Sequence, residues 1–158
     1  MSRLKLKRNP RKAACRRCSS LKLRIIAVSA NLEALVATAA LTTTSGAQPS
    51  ILYEKLVLNP GKTADIVSRI EVQHGSIMEH NRLIWVLEAD EKEILEVLLK
   101  NHFFHFTRLA PERWLLSGNI RTVIEYATSN ECELSFALIE SIQSFAPHIY
   151  EHARRKNM

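Results

Sequence analysis

The positive charge of this chain is not spread along it. Ten Lys and Arg lie within residues 1–24 (Arg3, Lys5, Lys7, Arg8, Arg11, Lys12, Arg16, Arg17, Lys22 and Arg24), and no Asp or Glu occurs there. The whole chain has 22 basic and 16 acidic residues for a formal +6, so everything after residue 24 holds 12 basic against 16 acidic groups, a net of −4. The isoelectric point near 9.5 therefore belongs to the first segment. Like charges at this density repel one another, and Leu4, Leu6, Leu21 and Leu23 offer little apolar surface to bury. The expectation is a basic arm, residues 1–24, that stays unfolded until it meets an anion or a receptor, followed by a faintly acidic folded body.

The body has enough apolar material for one core, since 46% of the 158 residues are hydrophobic; that is one ordinary domain. Four Gly, five Pro and three Cys exclude collagen-like, low-complexity and disulfide-stapled architectures. An odd cysteine count fits a reducing intracellular compartment.

Three readings suit the arm, the plainest being a solvated tail with no partner; the other two are active roles. It would neutralise nucleic-acid phosphates and release their counterions, or it would be read by import or export machinery and removed. Residues 25–50 bear on the choice. Ile25 to Leu41 is apolar and Ala-rich, but Asn31 and Glu33 interrupt it and its length is at the bottom of the membrane-spanning range, so no span is expected. Ser45 and Ala47 stand at the −3 and −1 positions of a cleavage site that would leave a mature chain starting at Gln48. The Arg16-Arg17 pair resembles a twin-arginine export signal, although Ser19 and Ser20 occupy places where that pattern has bulky apolar residues. As structure, Asn31 is an acceptable cap for a short helix with Leu32, Leu35, Val36 and Ala39 on one face. Thr42–Ser50, with Gly46 and Pro49, reads as a linker, so the α+β domain is expected over residues 51–158.

From Ile51 the pattern becomes regular. Ile51–Leu58 is rich in apolar and aromatic residues and ends at Asn59-Pro60-Gly61, the signature of a strand and turn. Ala64, Ile66, Val67 and Ile70 recur at helical spacing, and a short segment follows at Ser76–Glu79. Leu83–Leu87 is an unbroken apolar run that suits a strand covered on both faces. Asp90 and Glu93 have capping-box spacing at the start of a helix whose buried stripe would be Ile94, Leu95, Leu98 and Leu99. His102–Phe106 supplies a further strand. The order β-α-β-β-α-β is that of a ferredoxin-like split β-α-β sheet, and small regulatory domains of the ligand-binding ACT type resemble it in element order. Beyond Phe106 the pattern is helical: Asn119 caps one helix, and Leu134, Ala137, Leu138, Ile142 and Phe145 line another. These helices would cover the sheet or pair with a partner chain.

Enzyme-like strings are incomplete. Gly61-Lys62-Thr63 has the ending of a phosphate-binding loop, but Leu56 stands where that loop needs its first glycine. Cys15 and Cys18 have the spacing of half a zinc site, and His148 and His152 that of the other half. His102 and His105 on one strand would point to opposite faces. Glu131 and Glu133 beside Cys132 should disfavour its thiolate, and Ser117 lacks the glycines of a nucleophile elbow. Phe103, Phe104 and Phe106 have the composition of a base-stacking strand without the interleaved basic residues, which favours core packing. No cofactor motif is present.

Together these features describe a non-enzymatic adaptor or regulatory protein. Its arm would grip RNA or DNA through Arg8, Arg11, Lys12, Arg16 and Arg17, and its body would hold a protein partner or a second copy through the C-terminal helices. The alternative is an accessory binding protein imported into an organelle or exported after loss of about residues 1–47. A small hydrolase, with Lys62 and Glu88 as its candidates, is the minor reading.

Overall fold

The computed structural model describes residues 21–70 and 75–157. These form an α+β fold: β1 (Lys22–Val28), α1 (Leu32–Thr42), α2 (Pro49–Val57), α3 (Pro60–Arg69), a short 3-10 helix (Gly75–Glu79), β2 (Leu83–Glu88), α4 (Glu91–Lys100), β3 (His105–Ala110), β4 (Arg113–Gly118), α5 (Ile120–Ser129), α6 (Glu133–Ser141) and α7 (Pro147–Asn157). The four strands make one antiparallel sheet in the order β1-β2-β4-β3.

The chain does not follow the expected β-α-β-β-α-β order. Ile51–Leu58 is not a strand but most of α2, because Pro49 sits at the first helical position and Leu52 with Leu56, and Tyr53 with Val57, fall on shared helical faces. Asn59-Pro60-Gly61 is likewise a helix start rather than a turn: the Asn59 side chain accepts the Lys62 N–H at 3.1 Å, capping α3. The first strand lies earlier, at the end of the arm, where Lys22-Leu23-Arg24-Ile25 alternates polar and apolar residues. The run from β2 to α5 does keep the β-α-β-β-α order. Within it β4 lies between β2 and β3, which therefore run parallel to one another across it, and the outer position beside β2 is filled by β1.

One face of the sheet carries the core. Leu83, Trp85, Leu87 and Leu116 are fully buried there; the Trp85 indole donates to Ser141 Oγ at 2.9 Å, and that of Trp114 donates to the Ala89 carbonyl at 3.0 Å. Buried side chains from α5 (Val123, Ile124), α6 (Leu134, Leu138) and α7 (Ile149, Ala153) join the same cluster, so the C-terminal helices cover their own core. Leu32, Val36 and Ala37 of α1 belong to it as well. The apolar Ile25–Leu41 stretch is thus the end of a sheet strand followed by a core helix, and of the expected linker Thr42–Ser50 only residues 43–48 lie between helices, Thr42 ending α1 and Pro49 and Ser50 beginning α2. No helix among the described residues is long and apolar enough to cross a membrane.

α4 begins with the expected capping box, Asp90 and Glu93 exchanging hydrogen bonds at 2.7 and 3.0 Å. Its buried side is Ile94 and Val97, whereas Leu95 and Leu99 point outward. His102–Phe106 is a strand only from His105 onward, because Asn101 Oδ1 accepts the Phe103 N–H at 2.8 Å and turns the chain first. Arg113–Gly118, expected to be helical, is strand β4. It pairs with β3 through a two-residue hairpin whose second position, Glu112, has φ 56°. Glycine ordinarily marks that position, and its absence concealed the turn.

Candidate nucleic-acid interface

β2 is the most apolar strand, yet the described residues do not cover it on both faces. Leu83, Trp85 and Leu87 are fully buried; the alternate residues Ile84 and Val86 are only half-buried. The strand register aligns these with their neighbours into three rows across the far face. The first row is Lys22, Glu88, Arg113 and Ala110; the second is Arg24, Val86, Leu115 and Thr107; the third is Ala27, Ile84, Ser117 and His105. Successive rows are two residues apart along β2 and β4, about 7 Å, while register shifts between Ile25 and Ala27 in β1 and between Arg108 and Ala110 in β3 make one step on each of those strands three residues. Arg24, Arg113, Thr107 and His105 are exposed, and Leu115 and Ser117 are half-buried.

The charges on this face have defined partners. Glu88 lies between two cations, with Lys22 Nζ at 3.1 Å and Arg113 Nη2 at 3.5 Å. The Lys22 ammonium foremost, and then Arg113, holds the Glu88 carboxyl below its ordinary value. At the opposite end Arg82, one residue before β2, donates from Nη2 to Ser117 Oγ at 3.0 Å. Arg82 and Ser29 also exchange hydrogen bonds that tie the end of β1 to the start of β2. The result is a central apolar strip, Ile84, Val86 and Leu115, rimmed by Lys22, Arg24, Arg82 and Arg113, with one carboxylate that is already ion-paired. Beyond Glu88 the character changes: Asp90, Glu93 and Glu112 join Glu88 and Arg113 in lining an open groove of about 530 Å³. An anion is therefore favoured over the second and third rows and disfavoured past the first.

The arm residues Arg8, Arg11, Lys12, Arg16 and Arg17 lie outside the described residues, as do Cys15 and Cys18. His148 and His152 share one side of α7, but the His148 ring is engaged with Glu33, Nδ1 to Oε2 at 2.8 Å. Among the described residues no group of three or more His, Cys, Asp and Glu is placed to hold a metal ion. Gly61-Lys62-Thr63 sits in the first turn of α3 after a helix, not a strand, and the Thr63 hydroxyl is buried and donates to the Leu56 carbonyl at 2.9 Å. Lys62 and Glu88 are on separate elements, the second of them bound in its ion triad.

Cys132 departs from expectation. Burial pushes its thiol up, but hydrogen bonding from Ser135, with Oγ 3.2 Å from Sγ, and from Tyr126 outweighs that, and the net displacement is downward despite Glu131 and Glu133. The sulfur remains buried at the start of α6. Phe104 is buried edge-on to Tyr126 and Phe106 is half-buried against the core, so neither belongs to the uncovered face.

Sequence reasoning missed Arg82, Arg113 and the strip they border. The available signal was the apolar run itself: alternate members of Leu83–Leu87 were credited to a second covering layer that the described residues do not form. No protein-family model and no curated protein sequence matches this chain.

Proposed function

We propose that this protein is a non-enzymatic nucleic-acid-binding adaptor, with the basic arm supplying sequence-independent affinity for RNA or DNA and the α+β body carrying the arm. The observation behind this reading is continuity of charge. The arm holds eight basic residues and no acid before Leu21, and it runs directly into β1, where Lys22 and Arg24 stand on the uncovered face beside Arg113 and Arg82. A run of basic residues that continues in sequence into Lys22 and Arg24, and meets on the sheet only one carboxylate, Glu88, that Lys22 and Arg113 already pair, suits an extended polyanion better than a compact ligand. A reducing intracellular compartment fits the free, buried Cys132.

The test is removal of residues 1–20, which leaves β1 whole, followed by titration of a fluorescent oligonucleotide at two salt concentrations. The full chain should bind with an affinity that falls steeply with salt, by a logarithmic slope of about 0.9 per phosphate contacted. The shortened chain should bind more weakly and with a shallower slope. Equal, salt-insensitive binding by both would remove the reading.

A further inference from the structure

Resting on that reading, we infer that the uncovered sheet face is itself a binding site for an unpaired nucleic-acid strand, laid across the second and third rows with bases against Ile84, Val86 and Leu115 and phosphates at Arg24 and Arg82.

The chemistry of the face selects a single strand. A duplex presents phosphates and sugar outward and keeps its bases stacked inside, so it would meet the rim cations while leaving the apolar strip facing water. An unpaired strand offers both a charged edge and apolar base faces, which matches a strip of half-buried aliphatic side chains between guanidinium groups. Four strands at about 4.8 Å spacing give a platform roughly 15 Å wide, room for a few nucleotides. Thr107, Ser117 and His105 are placed on the same two rows to hydrogen-bond base edges or sugar hydroxyls. The acids Asp90, Glu93 and Glu112 beyond the first row bound the site at that end, since a phosphate there would face uncompensated negative charge. Among the described residues the face carries no Phe, Tyr or Trp and only the edge imidazole of His105 as an aromatic ring, so base discrimination by stacking should be weak and the site tolerant of sequence.

The experiment uses the full chain, with a fluorescent oligo-uridine strand and the same strand paired to oligo-adenosine as probes. Three variants are compared with the wild type: Arg24→Gln with Arg82→Gln, Val86→Thr, and removal of residues 1–20. All are first checked for an unchanged thermal transition. The arginine pair should lower affinity for the single strand roughly tenfold or more and reduce its salt slope by about 1.4, since each phosphate contact on a single strand contributes about 0.7. Val86→Thr keeps β-branched shape and should weaken the single strand severalfold while leaving the duplex unaffected. The proposal is overturned if face variants bind the single strand like the wild type while arm removal abolishes binding, an outcome that preserves the arm reading. It is overturned equally if the arginine pair and Val86→Thr weaken duplex and single strand alike. If the full chain binds neither probe, the functional reading itself fails. If it instead self-associates and Val86→Thr dissociates the assembly, the face is a contact between copies and the proposal falls.

Discussion

Glu33 caps a helix that begins more than a hundred residues later. Its Oε1 accepts the backbone N–H groups of His148 at 2.8 Å and Ile149 at 3.2 Å, while Oε2 meets His148 Nδ1 at 2.8 Å. The first amides of α7 have no intrahelical acceptor, and a carboxylate there also complements the helix dipole. Replacing Glu33 by Ala strands those amides and should cost about 1–2 kcal/mol. His148→Ala removes only the half-exposed contact between the imidazole Nδ1 and Glu33 Oε2 and should cost less than about 1 kcal/mol. Urea midpoints of the two variants decide it; a larger loss for His148→Ala would mean that the cap is not what fixes α7.

The same contact argues against a mature chain beginning at Gln48. Such a chain loses β1, the core residues Leu32, Val36 and Ala37, and the Glu33 cap. It should lack a cooperative thermal transition, whereas residues 21–158 should melt as the full chain does. Cooperative folding of 48–158 would revive the cleaved-segment reading, and the intact mass of protein from its native cell reports the start of the chain directly.

The β3–β4 hairpin holds Glu112 at φ 56°, where a Cβ is crowded. The Glu112 carbonyl accepts the Ala89 N–H at 3.0 Å, a backbone bond that glycine in its place retains. Glu112→Gly relieves that crowding at some expense in unfolded-state entropy and should stabilise the protein by about 0.5 kcal/mol. A lower melting temperature in the variant would contradict the assignment.

Glu88 links three strands through Lys22 and Arg113, which hold its carboxyl below the ordinary value. A carboxyl depressed in the folded state contributes stability that is present above its unfolded pKa and is lost as pH falls through the folded one. The wild type should therefore exceed Glu88→Gln in stability near neutrality and converge with it in acid. Freed of the carboxylate, Lys22 and Arg113 should also raise oligonucleotide affinity in the variant. A stability gap that stays constant into acid, or weaker binding by Glu88→Gln, would contradict this picture.

Local signals in the sequence identified some elements and obscured others. β2 and α4 were legible because an unbroken apolar run and a capping box each act within a few residues. β1 was hidden by its own charges: Lys22 and Arg24 counted toward the arm, although Leu23 and Ile25 between them mark a strand with one buried face. α2 was misread from its β-rich composition, with Pro49 at its first turn the neglected sign. β4 was lost because Glu112 fills a place where glycine would have announced a hairpin. The uncovered face was not legible at all, since the register that aligns Arg24, Val86 and Leu115 is a property of the assembled sheet. Glu33, meanwhile, was an interruption in an apolar stretch until α7 arrived to meet it.

The central claim is that an anionic strand is held by the arm and the sheet face rather than by the helices. Backbone amide shifts of the isotope-labelled full chain, recorded while oligo-uridine is added, test it most directly. The account predicts changes concentrated at residues 1–28, at Arg82–Val86 and at Leu115–Ser117, with α5, α6 and α7 unmoved. Perturbations centred on the helical layer, with β1, β2 and β4 silent, would contradict it.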